Sequence, residues 1–269
     1  MERMAQLIKF NRCISRYQMD FLRYSSRFVR LKKKRLADWK ENDAFPKRAA
    51  RKPDGKYDYH ASDVKEQEAF DEWLFTMQLN WATRTAWERS GFPDEIRRMS
   101  WLRTLLHEVN DLTFVLYNPV IRIKSASVQL EPLVITSDTV WCVKPLTGED
   151  SSVFQELTPR KWREIRTGTT REWLNPLISL NRTRVIVAAF LDHNKIGMKT
   201  RAAVYSPLSY IEFVHSSRTT AVDIRNAHVW YRELSMHSLM MKSEQILTAD
   251  ALLQACETEA VSRFQGAVL

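Results

Sequence analysis

The chain has 269 residues, of which 44% are hydrophobic and 27% are charged, a globular mixture that excludes wholesale disorder. Six glycines are too few for a glycine-rich nucleotide loop, and the three cysteines are too far apart for a CxxC zinc site or a disulfide framework. Residues 1–56 hold 17 Lys and Arg against 6 Asp and Glu, so the whole net charge of +9 comes from the N-terminal fifth. We expect a cytoplasmic protein with no signal peptide and no transmembrane segment.

The N-terminal region contains no proline or glycine over residues 11–42, which predicts one long helix. Apolar side chains recur along it at helical spacing and form an aromatic seam: Tyr17, Phe21, Tyr24, Phe28 and Leu31. Basic side chains recur about one residue earlier and form a cationic stripe: Arg16, Arg23, Arg27, Arg30 and Lys34. The stripe predicts nucleic-acid binding through Arg23, Arg27, Arg30 and Lys34. The seam predicts docking, either on the chain itself or on a protein partner.

A stretch with two prolines and a Pro-Asp-Gly turn, residues 46–62, predicts a linker. The chain is thereby divided into a basic helix with its linker, residues 1–62, and an α/β domain, residues 63–269. Two helices are expected to lead this domain, one beginning at Asp63 and one running from Pro93 to about Asn110.

Short segments rich in β-branched and aromatic residues then predict a meander of strands: residues 112–116, 120–124, 128–136 and 139–144, with weaker continuations at 153–156 and 162–166. Asn175 and Pro176 predict the start of a helix that ends near His193. The remaining predicted elements are strands at residues 202–205, 211–214 and 229–231 and a helix at 249–262. The expected fold class is therefore mixed α/β, with a mixed sheet flanked by helices and preceded by the long basic helix.

One pair of predicted strands carries residues suited to chemistry. Glu131 lies in the first strand and Lys144 ends the second, so that a hairpin would bring their side chains together. A carboxylate and a lysine in this arrangement suit a metal-dependent phosphodiesterase. Glu131 would hold Mg²⁺, and Lys144 would orient the attacking water or neutralise charge in the transition state.

Gln129-Leu-Glu131 stands where the nuclease-related domain (NERD) family of the PD-(D/E)xK nuclease-like superfamily has E-x-D, and Cys142-Val-Lys144 stands where it has E-x-K. Over residues 95–235 the chain resembles this family, including its later helix and strand. The basic N-terminal helix resembles that of bacterial proteins of spore-forming Firmicutes. The resemblance implies a nuclease-like sheet and, in an active member, Mg²⁺ as the cofactor.

The departures from the family pattern concern the metal ligands. Gln129 and Cys142 replace acidic residues, and Glu131 is one methylene longer than the expected aspartate. Because Mg²⁺ prefers oxygen ligands, a thiol at residue 142 is a poor substitute, and Cys142 is expected to be a small buried hydrophobe rather than a nucleophile. We therefore predict a degenerate domain that is nucleic-acid-binding or regulatory, with little or no metal-dependent cleavage.

Two alternatives stay open from the sequence. The first is a divergent Mg²⁺-dependent nuclease that uses Glu131 and Lys144 together with Glu108 from the preceding helix. In that case Cys142→Glu is expected to raise a weak activity. The second is a protein that binds a partner or a membrane surface through the N-terminal amphipathic helix.

Overall fold

A computed structural model describes residues 4–41, 50–51, 57–212, 219–236 and 240–263, and it describes no side chains in the range 39–66. The helices are α1 (Phe21–Glu41), α2 (Tyr59–Thr83), α3 (Ser100–Glu108), α4 (Pro176–His193), α5 (Ala227–Ser235) and α6 (Ser243–Gln254). The strands are β1 (Gln6–Phe10), β2 (Ala50–Arg51), β3 (Tyr57–Asp58), β4 (Glu88–Arg89), β5 (Phe114–Tyr117), β6 (Val120–Ile123), β7 (Ala126–Gln129), β8 (Leu133–Ile135), β9 (Thr139–Pro145), β10 (Val153–Thr158), β11 (Lys161–Arg166), β12 (Thr169–Leu174), β13 (Lys199–Ser206), β14 (Tyr210–Glu212), β15 (Thr219–Asp223) and β16 (Val261–Ser262). Short 3₁₀ helices lie at Arg16–Gln18 and Asp94–Arg98.

The central sheet has the strand order β1-β5-β8-β9-β13-β15. Strand β8 runs antiparallel to both of its neighbours, whereas β1 is parallel to β5 and β13 is parallel to β9 and β15. A second sheet has the order β12-β11-β10-β14. The predicted mixed α/β fold, with a mixed sheet flanked by helices, is confirmed.

Helices cover both faces of the central sheet. On one face, α4 packs against β9 and β13, and it belongs to the crossover connection that leads from β9 to β13. On the other face, Trp101 of α3 contacts Tyr205 of β13, with ring centroids 6.3 Å apart, and Trp230 of α5 contacts Trp141 of β9 at 5.7 Å. Successive strand residues alternate between these faces, so Cys142 and Lys144 lie on the α4 side.

The aromatic seam packs into the chain's own core. Phe21 contacts Phe114 of β5 with ring centroids 5.0 Å apart, and Phe28 contacts Trp81 of α2 at 6.3 Å. Tyr17 is fully buried, and its hydroxyl donates a hydrogen bond of 3.2 Å to Oε1 of Gln6. Docking of the seam on the chain itself is therefore confirmed. The members of the cationic stripe that lie on α1 are exposed.

The predicted start of the N-terminal helix at residue 11 is wrong. Ser15 and Gln18 form a capping box around a 3₁₀ turn, and Asp20 then accepts the Arg23 N–H at 2.9 Å at the start of α1. These side chains interrupt the helix because they bind backbone groups that a continuous helix would use. The residues before them form β1, which pairs with β5, so the N-terminal region belongs to the central sheet.

Strand β1 lies at the edge of the sheet, yet all five of its residues are buried. Helix α2 packs along it, and the side-chain carbonyl of Gln78 accepts the Leu7 N–H at 2.6 Å. A backbone donor that would face open solvent is therefore satisfied by a side chain of the same molecule.

Other predicted boundaries also need correction. The predicted strand at residues 128–136 is two strands, β7 and β8, because the intervening Pro132 lacks an N–H for the ladder. Residues 229–231 lie in helix α5 rather than in a strand. Helix α2 begins at Tyr59 instead of Asp63, and α6 ends at Gln254, before most of the predicted final helix. Of the predicted linker at 46–62, residues 46–49 and 52–56 lie outside the described residues, and residues 59–62 belong to α2 instead.

Among the described residues, no helix combines the length and the apolar character that crossing a bilayer requires.

Gly148 follows β9 at a point where the chain leaves no room for a side chain. A Cβ at this position would meet the buried Glu164 carboxylate and would lie 2.7 Å from Cζ of Phe154. We expect Gly148→Ala to lower the free energy of unfolding by about 1–3 kcal/mol through overpacking, as measured by urea denaturation. Gly91→Ala is the control, because nothing lies within 4 Å of a Cβ there. Equal effects of the two substitutions would contradict this prediction.

Candidate functional site

Glu131 and Lys144 meet at one end of the central sheet. Leu133 of β8 pairs with Cys142 of β9, and the same antiparallel register, continued outward by two residues, places Glu131 opposite Lys144. Nζ of Lys144 lies 2.8 Å from Oε1 of Glu131. The predicted hairpin juxtaposition is therefore confirmed, although Glu131 precedes β8 rather than lying in it.

The pair is anchored and largely shielded from solvent. The Glu131 side chain is 14% exposed and that of Lys144 is 28% exposed. The Glu131 N–H donates a hydrogen bond of 3.0 Å to Oγ1 of Thr183 in α4. Each charge is balanced by the other, so neither requires a metal ion to be stable in this environment.

Cys142 is completely buried on the same face of the sheet, paired in register with Leu133 and Ala202. Burial raises the pKa of its thiol to about 12, although the nearby Arg184 charge acts in the opposite direction. The thiol is therefore protonated at neutral pH and is a poor metal ligand and a poor nucleophile. The expectation of a small buried hydrophobe at this position is confirmed.

The other acidic positions of the hypothetical nuclease site lie elsewhere. The Glu108 carboxylate is 3.6 Å from Nδ1 of His107, whose Nε2 is 3.1 Å from Asp71. Gln129 lines a cleft of about 710 Å³ at the end of β1, and Glu131 is not among the residues that line this cleft. The structure thus brings together Glu131 and Lys144 but groups Glu108 with His107 and Asp71.

A magnesium site at Glu131 lacks the ligands that Mg²⁺ prefers. Within the described ranges, no group of three or more His, Cys, Asp or Glu side chains is arranged so that it could hold a metal ion. The neighbour at the E-x-K position is a buried thiol, and Glu131 is already paired with a lysine. The residues present therefore do not fit the Mg²⁺ site that the resemblance implies.

Four members of the cationic stripe lie on the outer face of α1. All four are exposed, and none forms an ion pair with a described carboxylate: Arg23, Arg27, Arg30 and Lys34. By contrast, Lys32 on the same helix is buried and pairs with Asp111 at 2.7 Å. The helix therefore separates a cation that is paired within the fold from four that have no ion-pair partner among the residues that the structure describes.

Sequence reasoning missed a second group of basic side chains. Arg84 and Arg263 lie beside Arg16, the first member of the stripe, around a small pocket. Arg16 and Arg263 lie toward the two ends of the chain and Arg84 directly follows α2, so no local spacing indicates that they meet.

A double-mutant cycle on Glu131 and Lys144 tests whether the pair stabilises the fold. We expect Glu131→Gln and Lys144→Met to show a coupling free energy of about 1–2 kcal/mol in chemical denaturation, because the charges are close and shielded. The Lys161–Glu172 pair, at 3.1 Å but with side chains 63% and 50% exposed, is the control. It should give about 0.5 kcal/mol or less. A coupling for Glu131–Lys144 as small as the control value would contradict a structural role.

Comparison of the chain with family models, with curated proteins and with solved structures gave no match.

Proposed function

We propose that this chain is a nucleic-acid-binding protein built on a degenerate nuclease-related domain, with the cationic stripe as its contact surface and without efficient hydrolysis. The observation that carries this proposal is a set of four exposed cations on one face of a helix whose other face is buried, none of them in an ion pair with a described carboxylate. Phosphate backbones bind such surfaces through the release of counterions.

The dimensions of the stripe suit a polyanion. Arg23 and Lys34 are eleven residues apart on α1, which corresponds to about 16 Å along the helix axis at 1.5 Å per residue. Phosphates on one strand of duplex DNA follow each other at about 3.4 Å along the axis, so the stripe spans several of them. Since the aromatic seam fixes α1 in the core, the backbone that carries the four charges is positioned before binding. Prior ordering of this kind reduces the entropic cost of association.

Two features support the degenerate nuclease-like character. After the β8–β9 hairpin and the intervening strands β10–β12, the chain continues with helix α4 and strand β13, and this helix followed by a strand is the order of elements that the resemblance implies. The hairpin also brings Glu131 and Lys144 together. Gln129 and Cys142 stand where the family has acidic residues, and this difference supports nucleic-acid binding rather than hydrolysis.

The alternatives have less support from the geometry. A divergent nuclease would need Glu108 near Glu131, but Glu108 belongs to α3, which packs on the face of the central sheet opposite to α4 and the Glu131–Lys144 pair. A partner- or membrane-surface-binding helix would need its aromatic face free, and Phe21 and Phe28 are buried.

The test is a binding and cleavage experiment on the full chain. Fluorescence anisotropy with single- and double-stranded DNA and RNA should show affinity that falls with salt, with a slope of log K against log salt of about −3 to −4. The same nucleic acids incubated with Mg²⁺ or Mn²⁺ should remain intact. Absence of binding at 50 mM salt would refute the binding role. Robust cleavage abolished by both Glu131→Gln and Lys144→Ala would refute the degenerate character.

A further inference from the structure

A small pocket lies where the 3₁₀ turn at Arg16 meets the C-terminal half of α2 and the end of β16. Its volume is about 300 Å³. Basic, polar and aromatic side chains line it, among them Arg16, Arg84, Arg263, Asn80, Thr76 and Trp73. Three of the lining residues are arginines from distant parts of the chain.

Two of these guanidinium groups are positioned by the protein. Nε of Arg16 donates a hydrogen bond of 3.3 Å to the Arg84 carbonyl, and its guanidinium stands 5.6 Å from the centre of the Trp81 ring. Nη1 of Arg263 donates to the carbonyl oxygens of Thr85 and Ala86 at 3.2 and 3.3 Å. Both side chains are thereby oriented beside the pocket before any ligand arrives.

The third guanidinium has no partner among the described residues. Arg84 is half-buried, and its side chain forms no hydrogen bond or ion pair with any residue that the structure describes. Burial lowers its pKa, and so do the charges of Arg263, Arg16 and Arg97. The pKa of Arg16 is likewise lowered by burial and by Arg27 and Arg263. The cluster therefore holds mutually repelling cations that an anion would stabilise.

We propose that the pocket formed by Arg16, Arg84 and Arg263 binds a phosphate monoester, carried either by a free mononucleotide or by the end of a nucleic-acid strand. Guanidinium groups match the geometry of phosphate oxygens and bind them with paired hydrogen bonds. A monoester carries a charge of about −1.5 to −2 at neutral pH, which balances three cations better than a diester with a single charge. The half-buried Trp73 supplies an aromatic wall for a base.

The experiment compares ligands that differ by one phosphate. Wild-type protein should bind a 5′-phosphorylated 12-nucleotide DNA about tenfold more tightly than the 5′-hydroxyl strand in fluorescence anisotropy, the effect of one charge-assisted contact. AMP and adenosine, measured by calorimetry, separate a free nucleotide from a strand end. Arg84→Gln should abolish each phosphate preference, and Arg84→Lys, which keeps the charge but not the paired donors, should reduce it in part. Arg232→Gln, which removes an exposed arginine from α5, should leave it unchanged.

Several outcomes would overturn the proposal. Equal affinity for the two strands together with no binding of AMP would do so. An unchanged phosphate preference in Arg84→Gln, with or without a fall in its unfolding midpoint, would assign Arg84 a role within the fold instead. These outcomes are distinguishable from a failure of the proposed function. If the protein binds no nucleic-acid strand at all, calorimetry with AMP still tests whether the pocket binds a phosphate monoester.

Discussion

Replacing Arg23, Arg27, Arg30 and Lys34 with glutamine should weaken nucleic-acid binding by about 100- to 1,000-fold at 150 mM salt. Each cation that neutralises a phosphate contributes about 0.9 to the slope of log K against log salt, so the slope should become shallower by about 3 to 4. The loss should be similar for all sequences, because phosphate contacts carry no base information. Anisotropy titrations at several salt concentrations measure both quantities.

The matched control removes three arginines and one lysine from other exposed positions: Arg160, Arg171, Arg232 and Lys242. This control lowers the net charge by the same amount. Any loss of nucleic-acid binding that it shows is therefore the effect of net charge alone. The unfolding midpoint of the stripe variant should stay close to that of the wild type, since the four side chains make no ion pairs with described residues. Binding at an unaltered salt slope in the stripe variant would show that the stripe is only a solvated face.

Cys142→Glu should destabilise the protein by about 5 kcal/mol or more and leave it largely unfolded. The side chain at this position is completely buried between Leu133 and Ala202, and a carboxylate placed there loses its hydration. Lys144, the nearest cation along the strand, is already paired with Glu131. Circular dichroism and urea denaturation measure the loss. This expectation replaces the one from the sequence, in which the same substitution raises a weak activity.

Cys142→Ala is the control for the volume and polarity of the side chain, and it should cost about 1 kcal/mol. A Cys142→Glu variant that stays folded and acquires Mg²⁺-dependent cleavage would contradict the prediction. That result would favour the divergent nuclease.

Local chemistry explains which elements were predictable. Asn175 and Pro176 predicted the start of α4, and in the structure Oδ1 of Asn175 accepts the Leu177 N–H at 2.8 Å. Strand β1 gave no such signal, because its buried residues include Gln6 and Lys9 and its partner β5 lies about a hundred residues away. The run at residues 229–231 has β-forming side chains, and tertiary packing of Trp230 decided in favour of a helix.

The contacts of the candidate site also differ in how far the sequence predicts them. The meeting of Glu131 and Lys144 was predictable, because a hairpin register is a short-range property. The burial of Cys142 was also predictable, because it lies in a run of apolar residues. The convergence of Arg84 with Arg263 was not, because it depends on the whole fold. Contacts between residues so far apart along the chain produce no periodic pattern in the sequence.

The covered edge of β1 has a consequence for self-association. An open edge strand offers unpaired N–H and C=O groups on which a second chain can add a strand, a route to aggregation and domain swapping. At this edge, α2 occupies the position of the incoming chain, and Gln78 holds the Leu7 N–H that such a strand would need. Intermolecular β-pairing through β1 would require α2 to detach from the core first. The protein is therefore protected at this edge by the same helix that carries the arginine pocket.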